Sequence, residues 1–222
     1  MSQLNKFARF TDDFSGASIS LPTAATLGCP WVITDTSASG TPTYTMGGSE
    51  ATLTLAATSE VENVCLSFGD TLEFDIDQID YAMFIVKMGQ ATLNAASQVA
   101  FGLASARNDA IDSITAAALF RVIGADSTTA VVCETDDGTT DNDDVATSTT
   151  LINVYKTFVI DFRNGTDDVQ FRIDGVQVAS GTTFDMSGYS SGLQPFVQIQ
   201  KTASTNTDSV IIDVVDIAPR RA

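Results

Sequence analysis

The sequence TLEFDIDQID places three acidic side chains at every second position, namely Glu73, Asp75 and Asp77. Residues two apart in a β-strand point to the same side, so these carboxylates would share one face while Phe74 and Ile76 enter a core. Retaining glycosidases cleave sugar linkages with two carboxyl groups held about 5 Å apart. The spacing therefore allows two interpretations, a catalytic cleft or the solvated side of a strand.

A second group of acidic residues lies in the least hydrophobic part of the chain, residues 134–150, which is predicted to be a solvated loop or a projecting hairpin tip. Its aspartates are Asp136, Asp137, Asp141, Asp143 and Asp144. Calcium takes six to eight oxygen ligands, so an ion site is physically feasible there. The spacing departs from the EF-hand pattern, however, and acidic surface loops are commonly only solvated. The sequence therefore assigns no catalytic, cofactor-binding or metal-ligating residue, and we expect no cofactor.

Charge and composition exclude several classes of function. The chain has 28 acidic and 11 basic residues, no histidine and a net charge of −17. Without histidine, Ser-His-Asp and Cys-His nucleophile pairs and histidine-containing zinc sites are ruled out. The negative charge repels phosphate backbones and anionic membranes, so we expect neither nucleic acid nor a membrane as a partner. We also find no pattern of a signal peptide or of a membrane span.

The three cysteines, Cys29, Cys65 and Cys133, are odd in number and widely spaced. Two of them lie in apolar runs. In a chain without export signals this pattern predicts buried, reduced thiols rather than a disulfide or a metal site.

Almost every apolar segment is short, rich in β-branched or aromatic residues and bounded by turn-forming residues. Asp174-Gly175 and Asn164-Gly165 lie between such segments and predict hairpins. A series of short strands separated by turn signals is typical of a sandwich or barrel, here as a single domain over residues 1–222 with short terminal extensions. The predicted strands are 30–34, 51–56, 61–68, 81–88, 98–105, 118–124, 129–135, 156–163, 169–173, 176–180, 196–201 and 209–217.

Three further features leave alternatives open. Residues 108–119 have weak helical character and could equally form a long loop. The runs 81–88 and 209–217 are apolar at successive positions, as expected for central strands or for strands whose outer face meets another chain. Trp31 is predicted to fill a core rather than to stack on a ligand.

Four of the eleven basic residues lie at the two ends of the chain, Lys6, Arg9, Arg220 and Arg221. If the first and last strands pair, these cations would form one positive patch that could dock an acidic partner. The alternative is that they belong to solvated tails.

Several stretches together carry a resemblance to a known family. They are FTDDFSG (10–16), AALFRVIGADSTT (117–129), the hairpin region 158–180, LQPFVQIQKT (193–202) and SVIIDVVDIAPRR (209–221). They resemble the concanavalin A-like (LamG-like) jelly-roll domains of tailed-phage virion proteins. The resemblance implies an all-β fold, an antiparallel two-sheet jelly-roll sandwich of the lectin and glucanase type, with the first and last strands close together.

The same fold family includes laminarinase-type glucanases, whose catalytic strand runs Glu, apolar, Asp, apolar and then Glu. Glu73 and Asp75 match the first two positions, but Asp77 stands at the third and Gln78 where the longer version of the motif has its Glu. Shortening an acid moves its oxygens by about an ångström, which can cost roughly a hundredfold in rate. We therefore predict that the chain is not an enzyme.

The resemblance implies a structural virion protein of a tailed bacteriophage. The expected role is a capsid decoration (cement) protein that binds the major capsid protein, forms a homo-oligomer, with a trimer as our guess, and stabilises the capsid surface after assembly in the host bacterial cytoplasm. The alternative is a carbohydrate-binding adhesin of the phage head or tail, with loops 134–150 and 181–192 contacting a cell-surface glycan. A laminarinase-like glycosidase is the third hypothesis.

Overall fold

The computed structural model describes residues 9–26, 28–71 and 74–220. Within these ranges no helix is long and apolar enough to cross a membrane. The elements are strands and two short 3-10 helices, Ile76–Gln78 and Ile111–Ser113. The strands are β1 Phe10–Asp12, β2 Ile19–Ser20, β3 Val32–Asp35, β4 Thr43–Gly47, β5 Glu50–Thr54, β6 Glu60–Ser67, β7 Phe74–Asp75, β8 Ile79–Met88, β9 Ser97–Ala104, β10 Ala117–Ile123, β11 Ala130–Asp136, β12 Asp141–Thr150, β13 Lys156–Asp161, β14 Gln170–Ile173, β15 Val176–Val178, β16 Gly192–Ser204 and β17 Ser209–Pro219.

The strands form two antiparallel sheets, as the sequence predicts. The back sheet has the order β15-β14-β13-β8-β17-β5-β4-β2, with β1 also paired to β17. The front sheet has the order β12-β11-β10-β9-β16-β6-β3, with β7 also paired to β16. The two continuous apolar runs become β8 and β17, which pair with each other in the middle of the back sheet. The central-strand interpretation of these runs is therefore confirmed.

All twelve predicted segments overlap observed strands. In 156–163 and 169–173 the alternating apolar residues are the buried ones, as the alternation indicates. Phe158 and Ile160 of β13 point into the space between the sheets, where they are fully buried. Phe101 and Phe120 of the front sheet meet Phe158 there, with ring centroids 4.8 and 5.0 Å from its own. Burial of these rings helps to join the sheets, since aromatic side chains remove large apolar areas from water.

Trp31 is fully buried, so the prediction that it fills a core is confirmed. Its indole packs against Phe10, Phe14 and Phe68, with ring centroids between 4.9 and 5.8 Å apart. Trp31 Nε1 donates a hydrogen bond of 2.7 Å to Asp12 Oδ2, which satisfies its only polar group. The side chain therefore belongs to the structural core at the start of β3.

The cysteines are unpaired and largely buried, as the sequence predicts. Cys65 and Cys133 are buried, Cys29 is half-buried, and all three are free thiols. Burial raises the pKa of Cys65 and Cys133 well above the ordinary range of a thiol. These two side chains are therefore held in the neutral, unreactive form.

The first and last strands pair, as expected, with Phe10 opposite Ile217. Arg9 does not present a free charge, because its guanidinium bonds both carboxylate oxygens of the buried Asp216, at 2.6 and 2.5 Å. Arg220 donates to the carbonyl oxygen of Phe162. Lys6 and Arg221 lie outside the described residues. The two described arginines are thus used to fasten the chain ends.

The structure corrects the strand predicted for the acidic triplet. β7 ends at Asp75, whose side chain accepts a 3.2 Å hydrogen bond from the backbone N–H of Asp77 and caps the 3-10 helix that follows. Only Ile76 of this turn is buried. Glu73 lies outside the described residues. Asp75 and Asp77 therefore do not line one face of a strand, because the chain turns between them.

For two other segments the structure decides between alternatives that the sequence left open. Residues 108–119 form a loop with one 3-10 turn before β10 begins, which is the second of the two alternatives. Most of 134–150 is strand, in the β11–β12 hairpin. The turn of this hairpin is fixed by Asp137, whose carboxylate accepts from the backbone N–H groups of Thr139 and Thr140. The polar composition reflects a strand at the sheet edge rather than a loop.

Candidate functional site

The outer face of the front sheet carries a set of side chains that the core does not use. On β10, Phe120 and Val122 point into the core, so Leu119 and Arg121 project from the opposite face. Arg121 lies opposite Ala100 of β9, which lies opposite Gln198 of β16. One row of outward side chains thus crosses three central strands.

Part of this face is covered by the connection from β9 to β10, residues 105–116, which we call the strap. Ile111 and Ile114 of the strap are buried in a second apolar cluster. Burying an isoleucine side chain contributes about 1.5–3 kcal/mol, so the two anchor the strap firmly. The other members of the cluster are Cys65, Ala100, Ala104, Ala117, Leu119 and Phe196.

Beside the strap lies a pocket of about 590 Å³. The floor of the pocket is the outer face of strands β10, β9, β16 and β6. The strap forms one wall, and β12 and the loops at the strand ends form the remaining walls. Pockets for small ligands commonly have this size and place polar groups on an otherwise apolar lining. The lining includes Val61, Asn63, Gln98, Asp109, Asp112, Arg121, Ile123, Asp126, Asp144, Gln200 and Lys201.

Arg121 organises the polar groups of the pocket. Its Nη1 is 2.6 Å from Asp112 Oδ1 on the strap and 3.5 Å from Asp144 Oδ1 on β12. The same nitrogen bonds the buried carboxylate of Glu134, and Nη2 donates to Gln98 Oε1 at 3.1 Å. The Arg121 side chain is only 3% exposed, and its Nε has no hydrogen-bond partner among the described residues.

Three carboxylates thus share one guanidinium, and the proton affinity of two of them, Glu134 and Asp144, is shifted. Burial raises the pKa of Glu134 to about 7, although attraction to Arg121 opposes the shift. Burial also raises the pKa of Asp144, and the neighbouring charge of Asp112 adds to the effect. Burial alone would lower the pKa of Arg121, but these carboxylates raise it above its ordinary value. The site therefore has more negative charge than its one guanidinium offsets.

The other cation of the lining is occupied elsewhere. The Lys201 side chain is fully buried, and its ammonium lies 3.4 Å from Glu62 Oε2. It also donates to the carbonyl oxygens of Thr58 and Asn206, at 2.9 and 3.2 Å. Lys201 thereby joins the loops after β5 and β16, and its charge is compensated by Glu62.

The structure does not bring together the acids that the sequence singled out. Asp75 and Asp77 lie outside the pocket, and residues 134–150 contribute only Asp144 to it. Loops 134–150 and 181–192 do meet, where Asp137 accepts from the backbone N–H of Gly188. Across the described ranges, no group of three His, Cys, Asp or Glu residues is arranged to hold a metal ion.

The sequence contains one signal that points to this pocket. Arg121 interrupts the otherwise apolar run ALFRVI, at a position that faces away from the core. A buried strand carries a charge in such a place only when acids surround it. The acidic partners of Arg121 come from separate segments of the chain. The alternation pattern therefore indicates the arginine but does not identify the acids that surround it.

No protein-family model matches this sequence, and no curated protein matches it. Solved structures do match by fold. The laminarinase from Rhodothermus marinus superposes with a TM-score of 0.65 at 8% identity, covering 96% of this chain and 97% of that one. The Bacillus licheniformis β-glucanase gives 0.62 at 14% identity, covering 96% and 98%. The Emp47p carbohydrate recognition domain gives 0.60 at 10% identity, covering 92% and 95%.

These neighbours confirm the predicted fold, a concanavalin A-like jelly-roll sandwich of two antiparallel sheets. They also correct one prediction. The prediction that the chain is not an enzyme is contradicted, because the similar structures include a laminarinase and a β-glucanase that match along almost their whole length, so the fold does not exclude catalysis. The prediction rested on Asp77, which stands where the glucanase motif has a Glu. That single mismatch does not exclude catalysis, because the pocket of this chain is lined by other residues.

Proposed function

We propose that this chain binds carbohydrate, in the pocket beside the strap. The observation that carries the proposal is the cluster around Arg121, in which a buried guanidinium, amide groups and carboxylates line one cavity of about 590 Å³. The likeness in fold to a structure named as a carbohydrate recognition domain supports it.

The lining suits the chemistry of a sugar. Sugar hydroxyls both donate and accept hydrogen bonds, and the amides of Asn63, Gln98 and Gln200 can do the same. The carboxylates of the lining only accept, so they suit the hydrogen bonds that sugar hydroxyls donate. Val61, which is 58% exposed at the rim, offers an apolar contact for the C–H face of a sugar ring.

Binding is tested with an array of defined glycans, followed by calorimetry on the glycans that are retained. Replacement Gln200→Ala removes an amide from the pocket floor and should weaken binding about tenfold, as expected for a lost hydrogen bond in a polar site. The matched control is Gln177→Ala, an exposed glutamine on β15 of the back sheet. If no glycan binds, or if both variants weaken binding equally, the proposal fails.

A second candidate function, hydrolysis or transfer of a glycosidic linkage in the same pocket, is favoured by the placement of Asp112 and Asp144. Their Oδ1 atoms lie 2.6 and 3.5 Å from the same nitrogen of Arg121. Those distances bring the two oxygens within about 6 Å of each other, near the spacing of roughly 5 Å in retaining glycosidases. Burial raises the pKa of Asp144, which suits a proton donor.

This second function has its own test. Purified protein is incubated with β-glucan oligosaccharides, and the products are separated by chromatography. Asp112→Asn and Asp144→Asn should each abolish cleavage while leaving binding measurable. Asp167→Asn, in the β13–β14 loop of the back sheet, is the control and should retain full activity. If the unmodified protein forms no product, the catalytic hypothesis is contradicted, whereas the binding proposal is unaffected.

The virion role stays a prediction. A capsid decoration protein with a sugar-binding pocket would combine a docking surface for the major capsid protein with a site for a cell-surface glycan. Co-sedimentation of the purified protein with capsids that lack it, with copies per shell counted on a gel, checks this role. Saturation at hundreds of copies supports lattice decoration, and an absence of binding contradicts it.

A further inference from the structure

The strap lies across the central strands of the front sheet. Its two buried residues, Ile111 and Ile114, belong to one apolar cluster with Cys65 of β6, Ala100 of β9 and Phe196 of β16. The strap therefore covers the middle of the outer face, and the pocket lies on one side of it, toward the ends of the strands.

A first bridge joins the strap to the side of the sheet that carries β3. Thr36, which follows β3, donates from Oγ1 to Asp109 Oδ1 at 3.2 Å. Asn63 of β6 donates from Nδ2 to Thr36 Oγ1 at 3.3 Å. The backbone N–H of Arg107 also donates to Asp70 Oδ1, after β6, at 2.8 Å. Asp109, Thr36 and Asn63 thus close this side of the pocket.

A second bridge joins the strap to the opposite side, which carries β12. Asp112 of the strap and Asp144 of β12 both contact Arg121 Nη1, at 2.6 and 3.5 Å. Gln198 of β16 holds the strap from below, since its Nε2 donates to the carbonyl oxygen of Asn108 at 3.1 Å. A series of contacts therefore runs from the strap over β10 to β12.

The pocket is consequently bounded in both directions of the sheet. Along the strands, the strap lies on one side, and the loops that carry Ala96 and Asp126 lie on the other. Across the strands, the two bridges lie at opposite ends. The cavity of about 590 Å³ has the size of a site for a small ligand rather than of a groove for a long chain. A polymer that crosses the face would have to displace the strap, which burial of its isoleucines opposes.

We propose that the pocket binds the ends of glycan chains, because the strap and its two bridges exclude internal segments. This inference rests on the proposed carbohydrate-binding function and names the substrate class of the same pocket. An internal segment continues on both sides of the bound units and needs two exits across the face. A chain end needs one exit, which the side of the pocket that faces solvent provides.

Calorimetry on two forms of the same glycan tests the inference. A linear glucan, mannan, galactan and xylan are each prepared as a hexasaccharide and as a long polysaccharide. A polysaccharide of about 90 units has about one fifteenth as many ends per sugar unit as the hexasaccharide, so it should bind about fifteenfold more weakly per sugar unit. Counted per chain, the two forms should bind equally.

The results separate the inference from the proposed function. If the polysaccharide binds as tightly as the hexasaccharide per sugar unit, internal segments enter the pocket. That result overturns the inference and keeps the carbohydrate-binding function. If neither form of any of the four glycans binds, the inference and the proposed function both fail.

Variants then test the strap. Ile111→Ala loosens it from the sheet, and Asp109→Ala breaks the first bridge without touching the core. Each should admit internal segments and raise the affinity for the polysaccharide, per sugar unit, about threefold to tenfold. Asp167→Ala, in the β13–β14 loop of the back sheet, is the control and should keep the preference of the unmodified protein. If both strap variants also keep that preference, the strap does not exclude internal segments and the inference is overturned.

Discussion

Arg121 on β10 and Glu134 on β11 form an ion pair on the outer face of the front sheet, with side chains only 3% and 4% exposed. The pair lies directly beside the pocket and holds Asp112 of the strap and Asp144 of β12 through the same guanidinium. Stability of this face and the geometry of the proposed binding site therefore depend on the same residues.

Replacement Arg121→Met should lower the free energy of unfolding by about 3–5 kcal/mol at roughly pH 8, because the buried Glu134 loses its partner and must either keep an unpaired charge or take up a proton. The double variant Arg121→Met with Glu134→Leu removes both charges and should recover most of that loss. Urea unfolding followed by circular dichroism measures both. If the double variant is as unstable as the single variant, the loss of stability comes from lost packing of the Arg121 side chain and not from the unpaired charge of Glu134.

Stability should also depend on pH through Glu134, which faces Arg121 of β10, Asp112 of the strap and Asp144 of β12. Its pKa in the folded protein is about 7, above its ordinary value of 4.5, so the folded state holds this proton more tightly than the unfolded chain. Its contribution is full below pH 4.5 and is lost as the pH rises through 7, by about 3 kcal/mol in all.

The check is a series of urea unfolding curves between pH 4.5 and 8 on the unmodified protein and on Glu134→Gln. Glutamine stays neutral, so the variant should lose less stability across this window. Identical slopes for the two proteins would mean that Glu134 titrates normally.

Asp12→Ala should destabilise the fold by about 1–3 kcal/mol, because Trp31 Nε1 would be left buried without an acceptor. Trp31 is the only tryptophan, so its fluorescence reports this contact without interference. Thermal unfolding monitored at the tryptophan emission gives the loss. The control is Asp13→Ala at the neighbouring exposed position, for which an equal effect would contradict the role of the indole hydrogen bond.

Ile111→Ala should loosen the strap and cost about 2–5 kcal/mol, as for other buried isoleucines cut back to alanine. Trypsin cleavage after Arg107 within the strap should then become faster, which mass spectrometry of the fragments can follow. Ile19→Ala, at an isoleucine that is 50% exposed, is the control and should leave both stability and cleavage unchanged. A strap that resists trypsin equally in both variants would show that Ile111 does not anchor it.

The resemblance to the jelly-roll family implied that the first and last strands lie together. The sequence pattern by itself determined the all-β class, the positions of twelve strands and the burial of Trp31, Cys65 and Cys133. These features follow from patterns within short segments, because a period of two residues states which side of a strand meets a core. The prediction of a single domain over residues 1–222 stays a prediction.

Only the tertiary structure decided which carboxylates meet. The alternation around Asp75 and Asp77 predicted a shared face, but a 3-10 turn separates them. Asp112 and Asp144 reach Arg121 from the strap and from β12. Their meeting depends on strand order, register and the path of a loop anchored by two isoleucines. Those are long-range relationships, which the pattern of residues along one segment does not contain.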